Sequence, residues 1–114
     1  DRAQARLARL EATRTVRGEV ERLLMPRLHL GAAGMAATAR AMNLSRPTLY
    51  RRLKAEGVSY EQVLDELRQE LAKTYLARLS VNETAYLLGF SDRSAFSRAF
   101  KRWTGQGPRG WKDG

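Results

Sequence analysis

The sequence predicts an all-α fold made of two helix-turn-helix subdomains joined by a long linker helix. Three observations lead there. Apolar residues recur at helical spacing along most of the chain, no stretch alternates with period two, and one short pattern occurs twice. The 114 residues allow one domain, or two small subdomains sharing a continuous core.

The elements follow in order. Residues 1–14 carry Arg2, Arg6, Arg9 and Arg14 around only Leu7 and Leu10, too thin an apolar face for a core helix, and read as a leader or linker. The first subdomain spans residues 15–58. Val16, Val20, Leu23 and Leu24 share one helix face, and Pro26 should end or kink that helix. Gly31 and Gly34 mark a loop. A short helix from about Met35 to Met42 leads through a turn at Asn43-Leu44 into a second helix. Ser45 can cap that second helix, Pro47 is tolerated in its first turn, and Gly57 closes it. Residues 59–79 form the linker, where Tyr60, Val63, Leu64, Leu67, Leu71 and Tyr75 predict an amphipathic helix from Tyr60 to Leu79. Such a helix would rise about 30 Å. Residues 80–114 make the second subdomain: a short helix to Leu88, a turn at Gly89-Phe90, a helix from Asp92 to Trp103, and a loop over Gly105-Gln106-Gly107-Pro108.

The repeat gives these helices a mechanical meaning. Ala39 and Ala85 are 46 positions apart, as are Asn43 and Gly89, Leu44 and Phe90, and Ser45 and Ser91. Inside the following helices the offset becomes 47, pairing Leu49 with Phe96, Arg51 with Arg98, Leu53 with Phe100 and Lys54 with Lys101. In each copy a small Ala lets two helices cross closely, and Asn or Gly four residues later takes the left-handed conformation that ends the first helix. An apolar side chain then plugs the corner and Ser caps the second helix. This is the helix-turn-helix, whose second helix enters a DNA major groove.

Charge agrees. Lys and Arg number 21 against 12 Asp and Glu, a net charge of +9, which attracts polyanions. There is no Cys and one His, His29, so disulfides, thiolate chemistry and Cys or His metal clusters are excluded or hard to build. Acidic residues are scattered, with no convergent acid–base set, and the chain reads as a non-enzyme without cofactor or metal. No apolar run approaches the length of a membrane span, and no signal peptide is visible, which favours the cytoplasm. Asp1 in place of Met suggests a piece of a longer protein.

With Leu49 and Leu53 inward, Arg46, Pro47, Tyr50, Arg51 and Lys54 point out. With Phe96, Phe100 and Trp103 inward, Arg93, Ser94, Ser97, Arg98 and Lys101 do so. Neither face carries an acid beyond Asp92 at the cap position. Arg51 and Arg98 can hold guanine bidentately or clamp a phosphate, and Arg93 sits at the end that enters the groove. Tyr50 can pack on a thymine methyl or a sugar, and Pro47 reads by shape. Ser45 and Ser91 can bind phosphate or only cap, while Thr48, Lys54, Lys101 and Arg102 are further phosphate candidates. The linker either sets the pitch of two readers or only packs the units together. The alternative to duplex DNA is a basic helical module binding RNA or protein; few aromatic residues are placed outward as stacking platforms.

Two stretches carry a family resemblance. Leu44-Ser45-Arg46-Pro47-Thr48-Leu49-Tyr50-Arg51-Arg52-Leu53-Lys54-Ala55-Glu56-Gly57, with Arg68 and Ala72, is the first. The longer runs from Ala85-Tyr86-Leu87-Leu88-Gly89-Phe90-Ser91 through Phe96-Ser97-Arg98-Ala99-Phe100-Lys101-Arg102-Trp103-Thr104-Gly105. From about Gly34 to Lys112 the chain resembles the DNA-binding domain of the AraC/XylS family of bacterial transcription regulators. It departs at Gly107, where the family usually has a small hydroxyl residue, and at Trp111-Lys112, where a Tyr-Arg-like ending is usual. The resemblance implies a homeodomain-like domain of about seven helices. In it Arg46, Pro47, Tyr50 and Arg51, then Arg93, Ser94, Ser97 and Arg98, face double-stranded DNA. It also implies an activator role with RNA polymerase as partner, and an effector-binding or dimerisation domain outside this chain.

Overall fold

The computed structural model describes residues 15–31 and 33–114, so the leader expected over residues 1–14 lies outside the described residues. Those residues form seven α-helices, one 3₁₀ segment and no strand. In chain order they are α1 (Val16–Leu24), the 3₁₀ segment (Met25–Leu30), α2 (Ala33–Ala41), α3 (Arg46–Ala55), α4 (Tyr60–Leu76), α5 (Val81–Leu87), α6 (Arg93–Thr104) and α7 (Pro108–Asp113).

Helix starts follow local chemistry. The Thr15 hydroxyl accepts from Gly18 N at 2.9 Å, and the Glu56 carboxylate accepts from Val16 N (2.8 Å) and Arg17 N (3.0 Å), so three otherwise orphaned amides of α1 are satisfied. Pro26 lacks the N–H that would continue α1, and the chain tightens into the 3₁₀ segment there. Helices α4 and α5 each open with a reciprocal capping box, Ser59 with Gln62 and Ser80 with Glu83.

The two corners repeat as expected. Ala39 and Ala85 are buried, and their carbonyl oxygens accept from Leu44 N (2.9 Å) and Phe90 N (3.1 Å). Asn43 and Gly89 are left-handed, at φ 56° and 83°. Helices α2–α3 and α5–α6 are thus the two helix-turn-helix units. Their interiors are continuous: Leu24, Leu49, Leu53, Val63, Leu76, Leu88, Phe96 and Phe100 belong to one buried cluster. Aliphatic side chains fill the first unit, whereas Phe90, Phe96, Phe100, Trp103 and Trp111 stack in the second, with successive centroids 5.4–6.3 Å apart.

Four local expectations are corrected. Gly34 is not in a loop; it is buried inside α2, where a Cβ would sit 3.1 Å from the Arg27 carbonyl oxygen. Only Gly31 makes the turn, at φ 62°. The linker helix has 17 residues and ends at Leu76, a rise of about 25 Å. Ala77, Arg78 and Leu79 carry no helix breaker, so the sequence pattern ran on to Ser80. The stretch 105–108 is a loop only as far as Gly107: Pro108 opens α7, and Gly107, lacking a side-chain cap, hid that start. Finally, Asp92 and not Ser91 caps α6, accepting from Ala95 N at 2.7 Å. The one-residue insertion between the copies shifts the cap, so Ser45 corresponds to Asp92.

Candidate nucleic-acid interface

Helical geometry puts the same five positions on the outer face of both second helices. On α3 these are Arg46, Pro47, Tyr50, Arg51 and Lys54, all exposed. On α6, each 47 positions later, they are Arg93, Ser94, Ser97, Arg98 and Lys101, exposed except for the half-buried Ser97. The opposite faces are anchored by Leu49 and Leu53, and by Phe96 and Phe100, each fully buried. Anchoring in the core fixes the roll of each helix, and so which side chains it presents.

Side-chain bonds separate the candidates further. At the start of α3 the Ser45 hydroxyl donates to Thr48 Oγ1 (2.9 Å) and accepts from Thr48 N (3.3 Å). The Arg51 guanidinium donates to the same Thr48 Oγ1 at 3.2 Å, which holds it beside the helix N-terminus. Lys54 Nζ lies 5.9 Å from the Tyr50 ring centroid, and Tyr50 is 55% exposed. Ser91 is exposed in the turn before α6. Arg102 stands apart: it flanks the outer face and donates to Asp65 of α4 at 3.3 Å, where Asp65 also accepts from Trp103 Nε1 at 3.2 Å. Its cation is directed to the linker helix.

A residue the sequence reading left without a role fastens the linker helix to the second unit. Arg68, on α4, donates from Nε to the Leu88 carbonyl oxygen (2.8 Å) and from Nη2 to the Gly89 carbonyl oxygen (3.1 Å). Its guanidinium lies over the Phe90 ring, 4.3 Å from the centroid. Burial lowers its pKa, opposed by the charges of Tyr60 and Asp65, and Arg remains charged regardless. A lone cation among the apolar positions Val63, Leu64, Leu67 and Leu71 was the available signal. The turn at Gly89 also meets the first unit directly, for a Cβ there would overlap the Leu28 carbonyl oxygen. The second corner is therefore held from two sides, by the linker and by the 3₁₀ segment.

Among the described residues no three His, Cys, Asp or Glu side chains gather as a metal site would require. No helix there is long and apolar enough to cross a membrane.

A family profile described as a helix-turn-helix domain matches residues 38–114, from the middle of α2 to the chain's last residue. The ornithine utilization regulator of Pseudomonas aeruginosa is 38% identical over 112 residues, 96% of this chain and 33% of that protein. This chain belongs to the AraC/XylS family. Among solved structures, the DNA-binding domain of AdpA in complex with a target DNA is similar at TM-score 0.70 and 26% identity, over 87% of this chain and 91% of that one. The transcriptional regulator CdpR from Pseudomonas aeruginosa is similar at TM-score 0.63 and 40% identity, over 70% of this chain and 26% of that one. The chain spans a third or less of the two regulators' lengths.

Proposed function

We propose that this chain is the sequence-specific double-stranded DNA-binding domain of a transcription regulator, with α3 and α6 entering successive major grooves. The observation that carries it is the pair of outer faces in one register, basic and free of acids, on helices rolled into place by buried Leu and Phe pairs. Arg46, Pro47, Tyr50, Arg51, Arg93, Ser94, Ser97 and Arg98 read base edges. Ser45, Thr48, Lys54, Ser91 and Lys101 hold phosphates; Arg102, paired with Asp65, is the weakest of that set. The linker's rise of about 25 Å is shorter than the roughly 34 Å between successive major grooves. Packing of each unit on α4, with Arg68 as the clamp, therefore sets the reader spacing. An activator role, RNA polymerase as partner, an effector or dimerisation domain elsewhere in the protein, and a cytoplasmic setting complete the reading, on the strength of the family.

Selection from random duplex DNA tests it. The expected outcome is a motif of two half-sites about one helical turn apart. Arg93→Ala should then weaken binding to the selected site by about 1–3 kcal/mol and relax preference at one base pair, measured by fluorescence anisotropy on single-base variants. An equal loss on every sequence would reassign Arg93 to phosphate. No enriched duplex motif, with tight binding to single-stranded RNA, would replace this reading by the RNA-binding alternative.

A further inference from the structure

The outer faces of α3 and α6 do not account for a second basic concavity beside α6. A cleft of about 270 Å³ opens between the start of α5, the start of α6 and α7, lined by Ser80, Val81, Asn82, Arg93, Arg109, Lys112 and Asp113. Three cations thus face one carboxylate. Arg109 is exposed and makes no ion pair among the described residues. The wall that carries it is firmly seated. Lys112 Nζ donates to the Leu79 carbonyl oxygen at 2.5 Å, and the Trp111 ring meets Phe100 edge-on with centroids 5.6 Å apart. Helix α7 is thereby fixed both to the end of the linker segment and to the inner face of the second reader.

Arg93 belongs to both surfaces. It is the first residue of α6, at the end proposed to approach base edges, and it lines this cleft. A duplex strand bordering the groove occupied by α6 must pass beside Arg93, within reach of the cleft's other cations. An Arg fork and an ammonium beside the Asn82 amide suit a phosphodiester, whose charge and oxygens are the same at every sequence. We propose that Arg109, with Lys112 and the Asn82 amide beside it, holds a backbone phosphate of duplex DNA flanking the base pairs read by α6, so that α7 is part of the interface. The inference rests on the DNA-binding reading above, which supplies the partner.

The test compares the 114-residue chain with Arg109→Ala and Arg109→Lys on the selected duplex and on a scrambled one, by anisotropy from 50 to 200 mM salt. Each lost phosphate contact flattens the log–log salt dependence by about 0.9, so the advantage of the parent over Arg109→Ala should shrink about 3.5-fold across that range. The loss should be the same on both duplexes, and Arg109→Lys, which keeps the charge, should retain the parent's slope. Because Arg109 is exposed, melting should be unchanged, and equal melting temperatures confirm that folding is not what is read. A parent that binds duplex with a slope Arg109→Ala does not alter overturns this inference alone, as does a loss confined to the selected site. A parent that binds no duplex overturns the proposed function and this inference together.

Discussion

The two helix-turn-helix corners use the same left-handed backbone but tolerate different residues there, and their surroundings explain why. Asn43 is exposed, at the outer corner of the first unit. Gly89 is pressed against the 3₁₀ segment, with the Leu28 carbonyl oxygen where a side chain would begin and Gly31 Cα 3.2 Å from that point. A left-handed residue is needed in both; the absence of a side chain is needed only in the second. The difference teaches that the second corner is an internal joint between the units, while the first is a free-standing turn.

The largest effect should come from forcing the two corners to be alike. Gly89→Ala adds a left-handed penalty of about 1–2 kcal/mol to an overlap with backbone that cannot swivel aside. The two costs together give an expected loss of about 2–5 kcal/mol in urea unfolding. Asn43→Gly, the reverse exchange, meets no such neighbour and should stay within about 0.5 kcal/mol of the parent. Equal tolerance at both positions would mean that the contact between the 3₁₀ segment and the Gly89 turn is not maintained in solution.

The next effect concerns the clamp on that joint. Arg68→Met keeps an apolar stem but leaves the Leu88 and Gly89 carbonyl oxygens without their charged donor. The two bonds share one guanidinium, and a charge-assisted donor contributes roughly 1.5–3 kcal/mol, so a loss of about that size is expected in thermal or urea unfolding. The more telling readout is spacing. The parent should lose affinity sharply when one base pair is inserted between half-sites, whereas Arg68→Met should bind the original and the lengthened sites more nearly alike. A variant that stays as spacing-sensitive as the parent would show that the Leu28–Gly89 contact sets reader pitch without Arg68.

How much of this was legible in the sequence depended on the range of the interaction. The corners were readable because Ala39, Asn43 and Leu44, and their counterparts Ala85, Gly89 and Phe90, act within five residues of one another. The outward faces of α3 and α6 were readable because Leu49 and Leu53, or Phe96 and Phe100, set a helix's roll by themselves. Arg68 showed in the sequence as part of a family pattern and as a lone cation among apolar positions, but its role did not, since its acceptors lie 20 and 21 positions away on another element. Arg102 looked like a surface cation until Asp65, 37 positions earlier, came beside it. Helix α7 was hidden for a local reason: Gly107 offers no capping side chain, and what holds the helix is tertiary, Trp111 on Phe100 and Lys112 on the Leu79 carbonyl.

The smallest expected effect again contrasts equivalent positions. Helices α4 and α5 both begin with Ser at the cap and a partner three residues on that accepts from the cap's own amide, Gln62 Oε1 at 2.8 Å and Glu83 Oε1 at 3.2 Å. Only Glu83 titrates. Its bonds to the Ser80 side chain and backbone, with a smaller contribution from the charge of Lys112, depress its pKa below the ordinary 4.5. The depressed folded pKa means that the α5 cap contributes its stability above pH 4.5 and loses it as the pH falls through the folded pKa. The α4 cap has no such dependence. Carbon chemical shifts at Val81 and Asn82 should therefore move toward coil on acidification from pH 6 to about pH 3, while those at Tyr60, in the matching position of α4, hold. Glu83→Gln should abolish the response at α5, and Gln62→Glu should install it at α4. An unaltered acid response in Glu83→Gln would place its source outside the capping box.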